Sequence, residues 1–214
     1  MKISKIGLYF IIFTFGLYIT GCFPASHTRD EDPETTENTE NTENTENTEG
    51  TETTSDEAAG GAIISIAKVE QQKEMYKPSV SKTYLYWLDN REILLNHATK
   101  CNIFALNVLY KAGFRTPTVN ALCRDLYDTT KFKDVFPVVG NSDPELAAKG
   151  DLIVWQGHVI IFESLTKIKK ETYAWAWWAG TSQSDNGDNV INNVCYGKYK
   201  LRGYFVIRRP VRKQ

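Results

Sequence analysis

The chain has 214 residues, and its formal net charge of −1 conceals two oppositely charged parts. Residues 61–214 carry 22 Lys/Arg against 14 Asp/Glu, a net of +8, whereas residues 23–60 carry one arginine against twelve acidic residues, a net of −11. The three histidines (His27, His97 and His158) have no metal-ligand spacing, which argues against a metal centre.

The chain begins with Lys2 and Lys5, followed by an apolar run from Ile6 to Ile19. A charged start, a short apolar stretch and small residues after it describe an export signal. The sequence Ile19-Thr20-Gly21-Cys22 resembles the lipobox of bacterial lipoproteins. That resemblance implies removal of residues 1–21 and a diacylglycerol on the Cys22 thiol. The remainder would then sit outside the cytoplasm, in the cell envelope of a bacterium, held to a membrane by the lipid. The rival reading is an uncleaved anchor. Its apolar run is marginal against the roughly 20 residues a span needs, and Gly16 and Gly21 interrupt it.

Residues 22–61 read as a tether. Glu-Asn-Thr repeats fill 37–49, and Thr, Glu, Ser and Gly continue to residue 61. Such a segment has too little apolar surface to offset its ordering entropy, and its like charges favour an extended chain, so disorder is expected. The basic part beyond it suits an anionic polymer or lipid headgroups. No nucleic-acid partner is expected.

Residues 62–214 are enough for one domain with its own core. Thr83 to Asn96 reads as a helix offering Leu85, Leu88, Ile93 and Leu94 to a core. Cys101 to Ala112 is a second helix, with Phe104, Ala105, Val108 and Leu109 at helical spacing and Gly113 at the C-terminal cap. Val119 to Tyr127 suggests a third. Asp151 to Glu163, Thr172 to Trp178 and Tyr204 to Arg209 are rich in Ile, Val, Phe, Tyr and Trp and read as strands, with a loop at 180–193. Helices followed by antiparallel strands give an α+β class.

Two residues carry the chemistry. Cys101 falls at the first turn of its helix, where free backbone N–H groups and the helix dipole favour thiolate; Lys100 beside it would add to this. His158 is a lone polar residue at the start of an apolar strand, after Gly157, where it could take the thiol proton. His97, four residues before the thiol, is a rival base. Lys100-Cys101-Asn102-Ile103-Phe104 and Gly150-Asp151-Leu152 followed by Gly157-His158-Val159 resemble, in this order, the papain-like cell-wall hydrolases, namely NlpC-type endopeptidases and CHAP amidases. The cysteine block departs from that pattern, reading Lys-Cys-Asn-Ile where the NlpC branch commonly has Asp-Cys-Ser-Gly.

The resemblance spans roughly Tyr84 to Arg209. It implies a papain-like fold with the nucleophile helix packed on an antiparallel sheet, Cys101 as nucleophile, His158 as general base and no cofactor. The expected substrate is an amide bond of peptidoglycan, either within the peptide or between sugar and peptide. A third polar residue to orient His158 is not evident. Glu163 should lie on the opposite strand face, which leaves a backbone carbonyl, or Asp185 or Asn186 from the loop. Cys123 reads as core, with a disulfide to Cys195 as one alternative. Trp155, Trp175 and Trp177 are candidates for an aromatic wall that receives substrate, with Trp178 on the other face. The alternatives are a non-catalytic wall-binding lipoprotein and a lipid acyl-transfer enzyme.

Overall fold

The computed structural model describes residues 51–180 and 189–214, with side chains from residue 57. The expected signal, Cys22, most of the expected tether, and Asp185 and Asn186 lie outside the described residues.

Helix α1 (Thr51–Glu70) opens the domain. It begins within the segment read as tether, since residues 51–61 are helical. The helix packs through Ile63 and Ala67, and buried Glu70 closes its end. Glu70 accepts hydrogen bonds from Tyr76 (2.8 Å) and from Lys111 (2.6 Å) on α2 (Cys101–Lys111). A buried carboxylate is stable only when paired in this way. Two glycines set how closely α1 approaches the loop before the central strands. A Cβ at Gly60 would stand 2.2 Å from the Lys149 carbonyl oxygen, and one at Gly150 would stand 2.7 Å from Ile63. Among the described residues no helix is long and apolar enough to cross a membrane.

The sequence from Thr83 to Asn96 is a hairpin and not a helix, with β1 (Lys82–Leu85) paired to β2 (Arg91–Leu94). Asp89 and Asn90 turn it with φ of 52° and 55°, the left-handed conformation those two residue types tolerate. Helix α2 is as expected, and Gly113 (φ 85°) ends it: the Phe114 amide reaches back to the Leu109 carbonyl at 2.9 Å. The third helix, α3, is shorter than expected and covers Cys123–Tyr127.

The main sheet is antiparallel, in the order β3-β9-β4-β5-β6-β8-β7. Its strands are β3 (Val138–Asn141), β4 (Leu152–Trp155), β5 (His158–Ile168), β6 (Glu171–Ala179), β7 (Asn189–Ile191), β8 (Val194–Lys200) and β9 (Val206–Arg208). The stretch from Asp151 to Glu163 is therefore two strands and not one. They are joined by the two-residue turn Gln156-Gly157, which sets His158 directly opposite Trp155. One face, with Leu152, Val154, Val159, Ile161 and Trp177, joins the core shared with α1 and α2. The other face carries a second core of Ile153, Ile160, Phe162, Ala176, Trp178, Tyr199 and Ile207. Trp155 of β4 meets Tyr199 of β8 at 5.3 Å although β5 and β6 lie between those strands, so the sheet coils around this second core. The architecture is α+β with antiparallel sheets.

Candidate functional site

Cys101 is the first residue of α2 and is 2% exposed. Three groups converge on its sulfur. The Cys123 Sγ lies 3.4 Å away, and the His158 side chain and the Val159 backbone, at the start of β5, stand near enough to lower its pKa. The turn at Gln156-Gly157 brings the last two together by starting β5 beside the first turn of α2. A Cβ at Gly157 would meet nothing within 4 Å, so no close packing requires a glycine at this turn.

The Cys101 thiol is held well below the ordinary thiol range. The hydrogen bond from Cys123 is the largest cause, burial opposes it, and the hydrogen bond and charge of His158 add to it. Cys123 moves the other way, raised by its hydrogen bond to Cys101 and by burial. The two thiols titrate as a pair in which Cys101 is the more acidic member.

Both ends of α3 are fixed, which fixes Cys123. Before the helix, the Asn102 side-chain amide donates to the Ala121 carbonyl at 2.8 Å. Within α3, buried Arg208 of β9 donates through Nε to the Leu126 carbonyl, and its Nη1 reaches both Lys131 O at 3.0 Å and Phe136 O at 2.6 Å. Cys123 is therefore a member of the site and not only core. The alternative disulfide to Cys195 is not seen: Cys123 lies against Cys101, and Cys195 sits on the second core with its thiol directed at the Gly180 carbonyl at 3.7 Å.

Other expected residues fall as follows. His97 is exposed on the loop before α2, and His158 is the histidine that lowers the thiol's pKa. The Lys100 ammonium is taken up by the carbonyls of Met75, Lys77 (3.1 Å) and Val80 (2.6 Å), and burial lowers its pKa. Asp151 of the Gly-Asp-Leu block forms a two-point ion pair with Arg209 at 3.1 and 2.9 Å. Glu163 accepts from the Trp177 indole at 3.1 Å on the helix-facing side of the sheet.

An aromatic ring stands against His158. Tyr199 stacks on it with centroids 5.4 Å apart and planes 22° apart, and Trp155 and Trp178 back Tyr199 at 5.3 and 5.1 Å. Burial raises the Tyr199 phenol to about 12, and the charge of Cys101 contributes. Of the expected aromatic wall, Trp155 is therefore next to the histidine. Trp175 and Trp177 stand elsewhere, both stacked on Tyr196 at 5.6 and 4.4 Å, with the Lys198 ammonium 5.2 Å from the Trp175 ring. Trp177 and Trp178 are buried and serve the two cores.

Sequence reasoning passed over Cys123 and Tyr199. Tyr199 was legible in principle: Val194-Cys195-Tyr196-Gly197-Lys198-Tyr199-Lys200 alternates as a strand, with Tyr199 on the same face as Cys195. Nothing local marks Cys123, because its partner is 22 residues away. Among the described residues no group of three metal-ligating side chains occurs. Comparison with protein-family models, with curated proteins and with solved structures finds no match to this chain.

Proposed function

We propose that this chain is a papain-like cysteine hydrolase that cleaves an amide bond of peptidoglycan, anchored to a membrane of the bacterial envelope by lipid on Cys22. The observation that carries the reading is the placement of Cys101 at the start of a helix and of His158 at the start of a strand, near enough for the histidine to lower the thiol's pKa. A thiol depressed by hydrogen bonds inside a core is costly to maintain for packing alone. The order of the two blocks in the sequence, cysteine helix and then histidine strand, supports the same reading.

In this mechanism the Cys101 thiolate attacks the amide carbonyl and forms a carbon–sulfur bond. Backbone N–H groups at the first turn of α2 stabilise the developing oxyanion. His158, carrying the proton taken from the thiol, donates it to the leaving amine. A water then gives its proton to His158 as its oxygen attacks the thioester, and release of the acid regenerates the thiol. Trp155, beside the histidine, supplies an apolar rim for sugar or peptide, and the net +8 of residues 61–214 suits an anionic polymer.

Digestion of purified peptidoglycan by the full-length chain, with mass analysis of released fragments, tests this function. Soluble fragments with new amine ends support hydrolysis and identify the bond. Binding to the wall without release, together with a Cys101 that resists thiol-reactive probes at neutral pH, would make the protein an adhesion module.

A further inference from the structure

Among the described residues there are three cysteines, and two of them meet at the reactive sulfur. Their sulfurs are 3.4 Å apart, against about 2.05 Å in a disulfide, so bond formation needs a closure of about 1.4 Å. Cys123 is the first residue of the five-residue helix α3 and follows Leu122 in an extended conformation. A shift of that size can be divided between side-chain rotation and the start of this short element. Cys123 is also 8% exposed against 2% for Cys101, so the pair opens outward on the Cys123 side.

We propose that Cys101 and Cys123 form a redox pair, in which a hydroperoxide converts the reactive sulfur into a reversible disulfide with its neighbour. The Cys101 thiolate attacks the peroxide oxygen, the O–O bond breaks, and Cys101 becomes a sulfenic acid as hydroxide or alkoxide leaves. Cys123, as its thiolate, attacks the Cys101 sulfur and expels hydroxide, and the Cys123 proton ends on that hydroxide as water. Two electrons have passed from the two sulfurs to the O–O bond. An external dithiol reverses the change by exchange. Cys195 has no part in it, since it lies on the second core. In an extracytoplasmic compartment a lone reactive thiol would proceed to sulfinic acid, which thiols do not reduce; the neighbouring thiol intercepts it one step earlier. That this closure silences an enzyme rests on the proposed hydrolase reading, whereas the closure itself does not.

The test treats the full-length chain with hydrogen peroxide at equimolar amount, blocks remaining thiols, and maps peptides without reduction. The expected result is a Cys101–Cys123 cross-linked peptide, loss of two hydrogens from the intact mass, and reversal by dithiothreitol, with peptidoglycan digestion lost and regained in parallel. In Cys123→Ser, oxygen should instead accumulate on Cys101, read as added mass on its peptide, and dithiothreitol should not remove it. Oxygen addition to Cys101 in the parent chain with no cross-linked peptide would overturn the proposal, as would equal recovery of parent and Cys123→Ser. A cross-link that forms and reverses in a chain that never digests wall material supports the redox pair and counts against the hydrolase reading.

Discussion

Tyr199 lies flat on His158, 5.4 Å between centroids and 22° between planes. The sequence left a backbone carbonyl, or Asp185 or Asn186 of the loop, as orienter for the histidine; among the described residues it is an aromatic stack that holds the ring. Trp155 and Trp178 support Tyr199 from two sides, so the imidazole is oriented by packing. Tyr199→Leu should therefore lower kcat on peptidoglycan fragments by about ten- to a hundred-fold, the loss typical of a displaced reacting group. Tyr199→Phe retains the stack and should stay close to the parent. Steady-state kinetics of the two variants make the comparison, and equal losses would point to the phenol instead.

The Cys101 thiol is low chiefly because Cys123 donates to it. A depressed acid is charged above its folded pKa and loses that charge only as pH falls through it. Alkylation of Cys101 in the parent should thus stay nearly constant between about pH 6 and pH 8, below the ordinary thiol value of about 8.5. In Cys123→Ala the largest cause of the shift is gone, and the rate should fall as pH is lowered across the same interval. Rates of iodoacetamide labelling read by peptide mass test this; superimposable profiles would assign the shift to His158 alone.

Much of this arrangement was legible in the residues. The 3.6-residue spacing of Phe104, Ala105, Val108 and Leu109, with Gly113 after them, gave α2 and so the place of Cys101. The apolar run after His158 gave β5. Errors arose where local pattern is ambiguous. Leu85, Leu88, Ile93 and Leu94 fit a helical stripe as well as a hairpin, and the deciding signal was the Asp89-Asn90 turn. Gln156-Gly157 inside an apolar run concealed a second strand. The approach of Cys123 to Cys101, and of Tyr199 to His158, is set by tertiary packing and the coil of the sheet, which no local spacing encodes.

Two adjacent glycines test whether residues once assigned to the tether belong to the domain. A Cβ at Gly60 would press on the Lys149 backbone at 2.2 Å, whereas a Cβ at Gly61 meets nothing within 4 Å. Gly60→Ala should destabilise by about 1–3 kcal/mol through overpacking. Gly61→Ala should stabilise by about 0.5–1 kcal/mol through helix propensity. Denaturant midpoints of both variants check this, and equal shifts would mean that α1 does not pack at Gly60.

The anchor rests on Ile19-Thr20-Gly21-Cys22. Growth with a clickable fatty acid should label the parent chain and not Cys22→Ala, which should persist as uncut precursor. Equal labelling of both would remove the lipobox reading.

The most direct test of the central claim is release of fragments from purified peptidoglycan by the parent chain, Cys101→Ser, His158→Ala and His97→Ala. The parent and His97→Ala should digest alike. Cys101→Ser and His158→Ala should be folded, by unchanged circular dichroism, and slower by at least about 10²-fold, the lower end of what general acid–base catalysis supplies. Digestion lost in His97→Ala but kept in His158→Ala would contradict the assigned base, and no digestion by the parent chain would contradict the hydrolase itself.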